Sequence, residues 1–338
     1  MNYSIAIVGA TGVVGEALLT LLEERDFPLE TLYLLASSRS AGKRIDFLGT
    51  ALKVEDLATF DFSQVEIAFF SAGEAASAEY APQAVAAGCM VIDNSAHFRY
   101  DEDVPLVVPE VNVEAIAGFE SRHIIASPNG TTIQMVVALK PIHDAVGVER
   151  VNVATYQAVS GSGKAALEEL GLQTLSLLNM REMKSQVYPK QIAFNVLPQI
   201  DSFNENGYTR EEMMMVWETG KIFEDSAILV NPTAVRVPLF YGHSEAIHLE
   251  TRDKISAAEA TELLHRAPGI KVVDRREEGG YPTAVTEAVG TDAVYVGRIR
   301  EDISHPRGLN LWVVSDNVRK GAALNSVQIA EQLVADYI

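Results

Sequence analysis

The chain has 338 residues, 48% of them hydrophobic, so it is long enough for two domains with buried cores. Its formal net charge of −19 at pH 7 argues against nucleic acid or an anionic membrane as a partner. The single cysteine excludes an intrachain disulfide framework, and no apolar stretch reaches the length of a membrane-spanning helix. Because the first residues also lack the pattern of a secretion signal, we expect a soluble cytoplasmic protein.

The first third of the chain alternates apolar strands with helices. Strands are predicted over residues 4–8, 32–36, 65–70 and 90–93. A helix that carries Leu18, Leu21 and Leu22 at helical spacing follows the first strand, and an alanine-rich helix is predicted over residues 75–87. Strands separated by helices of this length are typical of parallel βαβ units. The predicted fold class is therefore α/β, with a doubly wound, Rossmann-type sheet.

The pattern changes near residue 129. Beyond it, a helix is predicted over residues 131–139 and strands over residues 151–159, 235–239 and 243–251. The last strand alternates strictly, with Ile247 and Leu249 on one face, which is typical of a mixed or antiparallel sheet with one covered face. A final helix over residues 321–338 is expected to pack back onto the first domain. We therefore predict one domain over residues 1–128 plus 321–338 and a second, α+β domain over residues 129–320.

A glycine-rich turn separates the first predicted strand from the first helix. It reads GATGVVG over residues 9–15, and a turn between strand and helix is what dinucleotide binding requires. Gly9 and Gly12 would let backbone amides approach a pyrophosphate at the helix N-terminus, while Gly15 would allow helix and strand to pack closely. A glycine turn without a ligand is the alternative. The candidate cofactor-binding residues of this turn are Gly9, Thr11, Gly12, Val13, Val14 and Gly15.

The end of the second predicted strand bears on the choice of cofactor. An NAD site has an acidic residue there for the ribose 2′-hydroxyl, whereas this chain has SSRS over residues 37–40. Arg39 and Ser38 could hold a 2′-phosphate by charge-assisted hydrogen bonds, so we predict NADP as the cofactor. Ser71 and Gly73, after the third strand, are small enough for the cofactor to lie across the sheet edge. The alternatives are a solvated arginine and an ordinary turn.

The segment SPNGTTIQ over residues 127–134 is the most informative motif. It resembles the active-site loop of aspartate-semialdehyde dehydrogenases, S/N-P-N-C-S/T-T, with Gly130 at the position of the nucleophilic cysteine. Other motifs follow in the order of that family from end to end. They are the glycine turn, SSRS, Asp93-Asn94-Ser95, Phe98-Arg99, VVPEVN at 107–112, QAVSG at 157–161, WETGKIF with Glu218 and Lys221, Arg236-Val237-Pro238, His243 and Asp316-Asn317. The chain is most similar to the bacterial members.

The resemblance implies that aspartyl phosphate is reduced to its semialdehyde and phosphate with NADPH, and the reverse, in aspartate-family amino-acid biosynthesis. It implies that His243 is the acid/base, that Gln157 orients the intermediate, that Arg236 clamps the substrate carboxylate and that Glu218 meets the substrate amine. The implied phosphate contacts are Arg99, Asn129 and Lys221. The implied further cofactor contacts are Ser160, Gly161 and Asn317. Residues 129–320 would then be the catalytic and dimerisation domain of a homodimer.

The residue types suit these roles. An arginine such as Arg236 can bind a carboxylate through two hydrogen bonds, which lysine cannot reproduce. A histidine titrates near neutrality, so we expect His243 both to give and to take a proton. The other histidines have no spacing typical of a metal site, so no metal is expected. Cys89 is interpreted as a small core residue, since nothing near it in sequence suggests an activated thiolate.

Gly130 divides the functional hypotheses between an impaired dehydrogenase and a non-catalytic binding protein. Deleting the nucleophile of a comparable site costs on the order of 10⁶ in kcat, so normal turnover is not expected. Position 130 could be altered or recorded differently from the native chain, the chain could be a natural paralogue that kept only binding, or it could be a designed or resurrected sequence. The joint retention of the other matching residues favours the first or third explanation. A sibling reductase of N-acetylglutamyl phosphate shares the general plan, but the contexts of Glu218 and Arg236 are closer to the aspartyl enzyme.

Overall fold

The computed structural model describes residues 2–338 and divides into two compact units. The first unit contains residues 2–129 and Ala322–Ile338, and the second contains Gly130–Gly321. Each unit is built around its own sheet. No helix within residues 2–338 is long and apolar enough to cross a membrane. In the same range, no three His, Cys, Asp or Glu side chains are grouped so that they could hold a metal ion.

The first unit is a seven-stranded sheet with helices in the connections between its strands. The strands are β1 (Tyr3–Val8), β2 (Leu29–Ala36), β3 (Arg44–Phe47), β4 (Thr50–Asp56), β5 (Ile67–Phe70), β6 (Met90–Asp93) and β7 (Ile124–Ala126). Their order is β3-β4-β2-β1-β5-β6-β7, and all neighbours run parallel except β3 and β4. The α-helices are α1 (Val13–Glu24), α2 (Glu74–Ala86) and α3 (Pro109–Asn112), and 3-10 segments cover Leu57–Thr59, Phe62–Gln64 and Val113–Ser121. The prediction of a doubly wound α/β sheet is confirmed.

The central strands β1 and β5 explain the parallel arrangement. Every residue of β5 is buried, and so is all of β1 except Ser4. Parallel strands are apolar along their length because connecting helices cover both faces of the sheet. The last residues of the two strands, Val8 and Phe70, are register partners. The turn that starts at Gly9 and the segment that starts at Ser71 therefore leave the sheet side by side.

The second unit is a six-stranded mixed sheet. Its strands are β8 (Val148–Gln157), β9 (Leu229–Arg236), β10 (His243–Thr251), β11 (Ile270–Val272), β12 (Val294–Glu301) and β13 (Gly308–Ser315), in the order β11-β12-β13-β10-β8-β9. Its α-helices are α4 (Gly130–Val146), α5 (Lys164–Leu178), α6 (Arg210–Ile222) and α7 (Ala257–Arg266). Only β8 with β9 and β11 with β12 run parallel. Helix α4 packs across β8, β10, β12 and β13, while alternate residues of β8 and β10 stay partly exposed. The predicted mixed sheet is confirmed.

The last helix of the chain belongs to the first unit. Helix α8 (Leu324–Asp336) follows a π-helical turn over Arg319–Ala323, so the α-helix starts later than the predicted residue 321. Its apolar stripe, which includes Val327, Ala330 and Leu333, is buried in the same core as the leucines of α1. Burying one leucine or valine side chain contributes about 1.5–3 kcal/mol, so this stripe fixes the helix against α1.

Two predicted elements have different ends in the structure. The strand predicted over residues 235–239 has other bounds: β9 starts at Leu229 and ends at Arg236, two residues before Pro238, which has no N–H with which to continue the ladder. The helix predicted over residues 131–139 continues as α4 through Pro141 to Val146. The short strands β3, β7 and β11 have no predicted counterpart, since three or four residues are too few to display a period of two.

Candidate active site

The glycine turn of the first unit is shaped by contacts that exclude side chains. Gly9 has a φ of +94°, and a Cβ there would lie 2.8 Å from the carbonyl oxygen of Ser71. A Cβ at Gly15 would lie 2.3 Å from the carbonyl oxygen of Gly9. Both positions therefore require glycine. Gly12 is the N-cap of α1 and offers no side-chain acceptor, which suits the first turn of this helix to binding an anion.

A cavity of about 630 Å³ opens beside this turn. The predicted cofactor residues that line it are Gly9, Thr11, Gly12, Ser38, Arg39 and Ser71. The other predicted cofactor residues of this unit are not part of its lining: Val13, Val14, Gly15 and Gly73. The glycine turn and the SSRS segment, which are separated by a whole helix and strand in sequence, thus open onto one cavity.

Three polar side chains in the same cavity have no motif that marks them in the sequence: Asp56, Glu79 and Tyr80. Asp56 ends β4, where it is the register partner of Ala36 at the end of β2. Because β4 is not among the predicted strands, a carboxylate at this edge is unexpected from sequence. The Asp56 carboxylate accepts a hydrogen bond from the Ala58 amide at 3.1 Å, so the following turn already uses one of its oxygens.

Two phosphate-contact candidates, Arg99 and Asn129, also lie in the first unit. Arg99 follows β6 and Asn129 follows β7, and these strands are parallel neighbours whose carboxyl ends share one edge. Nη2 of Arg99 donates to the carbonyl oxygen of Asn94 at 2.8 Å. The Asn94 side chain accepts from the Ser326 hydroxyl and donates to the Phe70 carbonyl oxygen. This network holds the buried Arg99 side chain at the carboxyl edge of the sheet.

Sheet topology brings three predicted residues of the second unit together. Gln157 ends β8 and Arg236 ends β9, and they are direct register partners in a parallel pair. His243 begins β10, which runs antiparallel to β8 with Ser244 opposite Tyr156. The three side chains therefore lie at one edge of the sheet, and all are buried. We call Gln157, Arg236 and His243 the sheet-edge trio.

The backbone of Ala158 holds two members of the trio. Its carbonyl oxygen accepts from Nη1 of Arg236 at 2.7 Å, and its N–H donates to Nδ1 of His243 at 3.1 Å. Nη1 of Arg236 also lies 3.4 Å from Oε1 of Gln157. Nε of Arg236 is buried and has no hydrogen-bond partner among residues 2–338. The guanidinium therefore keeps a donor for a further acceptor, such as a ligand carboxylate.

The expectation that His243 titrates near neutrality is wrong in this environment. Burial and the neighbouring Arg236 guanidinium lower the pKa of His243 to about 3. Nδ1 accepts the Ala158 N–H, so the neutral ring carries its proton on Nε2. At pH 7 His243 can donate a hydrogen bond from Nε2. To take up a proton it needs a negative charge nearby, for example a carboxylate bound to Arg236.

Ser160 and Asn317, two cofactor candidates in the second unit, are bonded to each other. Nδ2 of Asn317 donates to Oγ of Ser160 at 2.9 Å, and Oδ1 of Asn317 accepts from the Gly242 amide at 2.8 Å. Gly242 directly precedes His243. The Asn317 amide therefore ties the 3-10 turn over Val159–Ser162 to the start of β10.

Gly161, the third cofactor candidate in this unit, borders the trio. A Cβ at Gly161 would lie 3.1 Å from Nη1 of Arg236 and 3.7 Å from Nε2 of His243. The absence of a side chain here keeps open the space beside both groups. A side chain at position 161 would therefore crowd the arginine and the histidine.

Gly130 is the first residue of α4. A Cβ there would lie 3.0 Å from the carbonyl oxygen of Gly321, so a cysteine fits if that carbonyl shifts by a few tenths of an ångström. The hydroxyl of the adjacent Thr131 donates to Oε1 of Glu211 at 3.4 Å. Cys89 lies fully buried in the first unit, and burial raises the pKa of its thiol to about 12. The interpretation of Cys89 as a core residue is confirmed, and it is no substitute for an activated thiolate.

Helix α6 carries the candidates Glu218 and Lys221. Glu218 is fully buried and Lys221 is half-buried. The helix starts with a capping box in which Thr209 and Glu212 satisfy each other's backbone amides. Oε1 of Glu212 also accepts from the Ala234 amide of β9 at 2.9 Å. These contacts fix the helix against the strand that ends in Arg236.

Two buried glutamates of the second unit are functional candidates that no motif marks. Oε1 of Glu211 accepts from Nε2 of Gln157 at 2.8 Å. Glu245 is fully buried on β10, and the Gln134 side chain is the polar neighbour of its carboxyl group. Burial is the main cause that raises the pKa of Glu245 well above its usual value. In the sequence, Glu245 falls in the strict alternation of this strand, on the same face as Ile247 and Leu249. That position on the apolar face is the signal that could have identified it as a buried acid.

Comparisons with known proteins bear on both units. The family model of the semialdehyde dehydrogenase NAD binding domain matches residues 4–119, and that of the semialdehyde dehydrogenase dimerisation domain matches residues 139–320. The aspartate-semialdehyde dehydrogenase of Legionella pneumophila is 62% identical over 337 residues, which are 100% of this chain and 97% of that protein. The chain belongs to the aspartate-semialdehyde dehydrogenase family.

Other members of the aspartate-semialdehyde dehydrogenase family are similar along the whole chain. Aspartate-semialdehyde dehydrogenase 2 of Vibrio cholerae is 59% identical over 336 residues and covers 99% of both chains. The crystal structure of aspartate-semialdehyde dehydrogenase II of Vibrio cholerae complexed with ASA superposes with a TM-score of 0.98 at 58% identity, over 100% of both chains. The Candida albicans enzyme crystallised with NADP superposes with a TM-score of 0.77 at 26% identity, over 99% of both chains.

Proposed function

We propose that this chain is the scaffold of an NADP-dependent aspartate-semialdehyde dehydrogenase. The family reaction interconverts L-aspartyl 4-phosphate with L-aspartate 4-semialdehyde and phosphate. The sheet-edge trio carries the proposal, because it combines a carboxylate-binding arginine, an amide and a histidine in one buried group. Since glycine occupies position 130, we further propose that the chain as written turns over poorly or not at all.

Arg236 would bind the substrate carboxylate. Its guanidinium is buried but retains the Nε donor, and its planar group suits a carboxylate with two oxygens. Burial lowers the pKa of Arg236, so an anionic ligand would stabilise the charged side chain. From the family resemblance, Glu218 would meet the substrate amine, and Arg99, Asn129 and Lys221 would hold the phosphate.

NADP would bind in the first unit. Because side chains are excluded at Gly9 and Gly15, the glycine turn would leave room for a pyrophosphate at the N-terminus of α1. Arg39 and Ser38 line the cavity beside this turn, where they would bind a 2′-phosphate. When bound, NADP supplies the hydride acceptor for oxidation of the semialdehyde. Ser160, Gly161 and Asn317 of the second unit remain proposed cofactor contacts from the resemblance.

His243 would move the proton. In the unliganded chain its ring is neutral, with Nε2–H as a donor for the oxygen of a carbonyl under attack. A substrate carboxylate on Arg236 would offset the positive charge that helps to lower the pKa of His243. Substrate binding would therefore raise this pKa, and the ring could accept a proton on Nδ1 once that nitrogen is released from the Ala158 N–H. Gln157 would orient the intermediate beside it.

The missing component is the nucleophile. The N-terminus of α4 would favour a thiolate at position 130. With Gly130 the helix N-terminus is present, but there is no sulfur for it to activate. The Thr131 hydroxyl is engaged with Glu211 and is not at the matching position. Cys89 is buried in the first unit. These observations support the proposal that glycine at position 130 disables acyl transfer.

The alternative is a paralogue that binds NADP or an amino-acid derivative without catalysis. An intact Arg236 and an intact cofactor cavity fit both functions. Gly130→Cys separates them, with phosphate-dependent NADPH formation from L-aspartate 4-semialdehyde as the measurement and Gly130→Cys with His243→Asn as the control. If Gly130→Cys forms NADPH and the control does not, the result supports the dehydrogenase scaffold. A Gly130→Cys chain that binds NADP but does not turn over supports the paralogue.

We also propose a homodimer through the open face of the second sheet. On this face Ala154 lies opposite Ala246, and Asn152 lies opposite His248. Tyr156 is 36% exposed there, with its ring centroid 5.6 Å from that of Trp312. A centre of small residues beside aromatic side chains suits a protein–protein interface.

A further inference from the structure

Glu211, in the first turn of α6, is hydrogen-bonded to the sheet-edge trio although no motif marks it. Its Oε1 accepts from Nε2 of Gln157 at 2.8 Å and from Oγ1 of Thr131 at 3.4 Å. The side chain is 9% exposed. One carboxylate therefore joins the end of β8 to the residue next to position 130.

Glu211 determines which atom of the Gln157 amide faces Arg236. A carboxylate only accepts hydrogen bonds, so the amide nitrogen of Gln157 points towards Glu211, with Oγ1 of Thr155 as a second acceptor at 3.3 Å. The amide oxygen then accepts from Nη1 of Arg236 at 3.4 Å. Turning the amide over would set its oxygen against the carboxylate and its nitrogen against the guanidinium. The charges of Glu211 and Arg236 therefore favour the orientation in which the Gln157 amide nitrogen faces Glu211.

The charge of Glu211 also supports the buried arginine. Burial lowers the pKa of Arg236, while Tyr188 in its ionised form and the Glu211 carboxylate oppose that shift. Gln157 lies between Glu211 and Arg236 in the hydrogen-bonded chain. The carboxylate therefore stabilises the guanidinium through the amide and leaves the Nε donor for a ligand.

We propose that Glu211 is a positioning residue of the dehydrogenase reaction. It holds the amide oxygen of Gln157 towards Arg236 and so sets the places of both groups around the reacting carbonyl. This role rests on the proposed function. It differs from that of Glu218, which is proposed to touch the substrate amine, and from that of Glu212, whose carboxylate caps α6 and accepts from the Ala234 amide.

The test compares Glu211→Gln with Glu212→Gln, each in the Gly130→Cys chain. Glu212 is the matched control because it is the adjacent buried glutamate on the same helix. Glu211→Gln should lower kcat for semialdehyde oxidation by roughly 10- to 100-fold, since misplaced groups cost rate, while KM for the semialdehyde changes less than about threefold. Glu212→Gln should lower Tm and leave kcat within about threefold of its parent.

Unchanged kcat in Glu211→Gln would overturn the proposal, and so would an equal loss of kcat in Glu212→Gln. A Gly130→Cys parent without turnover would instead contradict the proposed function. The positioning role is then tested in the Gly130 chain by NMR of the Gln157 side-chain amide. Its resonances are assigned as those that disappear in Gln157→Leu. Glu211→Gln should shift these amide resonances and Glu212→Gln should leave them in place. Resonances that do not move in Glu211→Gln would overturn the proposal.

Discussion

The N–H of Ala158 donates to Nδ1 of His243 at 3.1 Å, and this contact fixes the chemistry that the histidine offers. In the neutral ring the proton must lie on Nε2. In the charged ring a proton on Nδ1 would face the Ala158 N–H, which disfavours that form. The hydrogen bond therefore acts in the same direction as burial and the Arg236 charge, both of which lower the pKa of His243.

The first prediction concerns the charge of His243. Its pKa of about 3 lies below the ordinary value of 6.5, so between these values the unfolded chain binds a proton that the folded chain does not. The contribution of this residue to the free energy of unfolding is present above pH 6.5 and is lost as pH falls towards 3. His243→Asn should remove this part of the pH dependence. NMR titration of the His243 ring measures the pKa directly, and a midpoint near the ordinary value would contradict the prediction.

The second prediction concerns the buried carboxyl of Glu245. Because its pKa is raised above 4.5, the stability from this group is present below pH 4.5 and is lost as pH rises towards the folded-state pKa. Glu245→Gln keeps the shape without the titration and should stabilise the chain at pH 7 by about 1–3 kcal/mol. At pH 4 the gain should be much smaller. Urea unfolding at both pH values measures it, and a variant less stable than the parent at pH 7 would show that Glu245 has a favourable ionised role.

The third prediction concerns the cofactor. Arg39→Leu should weaken NADP binding by roughly 10- to 100-fold and NAD binding by less than about threefold, because a hydrogen bond to a charged group contributes about 1.5–3 kcal/mol. Lys43→Leu is the control, since Lys43 is a nearby exposed cation outside the cavity lining. Calorimetric titration with both cofactors measures the affinities. An equal loss for NAD and NADP, or an equal loss in the control, would contradict a 2′-phosphate contact.

The fourth prediction concerns self-association. Ala154→Glu places a charge on the open face of the second sheet, opposite Ala246. Burying an unpaired charge in an interface should weaken a homodimer on the order of 100-fold. Ala51→Glu, on an exposed position of β4 in the first unit, should leave the dimer unchanged. Sedimentation equilibrium measures both. A dimer that persists in Ala154→Glu would place the interface elsewhere.

Local requirements made part of the site predictable from sequence. Gly9 is required by its positive φ and by its close approach to Ser71, and Gly15 by the close packing of α1 on the turn, so their spacing after an apolar strand identifies the turn. Gln157, Arg236 and His243 carry no such local signal. They meet only because β8, β9 and β10 are neighbours, and only the family motifs could bring them together in advance.

The remaining residues depend on packing that sequence patterns do not encode. Asp56 enters the cofactor cavity because β4 pairs with β2 beyond the predicted core strands. Glu211 looks like an ordinary acid in the first turn of a helix, and its role depends on Gln157 lying beneath it. The low pKa of His243 arises from the tertiary contact with Arg236 and from burial, so the ordinary value for its residue type was misleading.

The most direct test of the account is phosphate-dependent NADPH formation from L-aspartate 4-semialdehyde and NADP. The chain as written is measured beside Gly130→Cys, with Cys89→Ala added to Gly130→Cys as the thiol control. We expect Gly130→Cys to exceed the Gly130 chain by roughly four to six orders of magnitude in kcat, with or without the buried Cys89. Comparable turnover with glycine and with cysteine at position 130 would contradict it, because the nucleophile would then lie elsewhere.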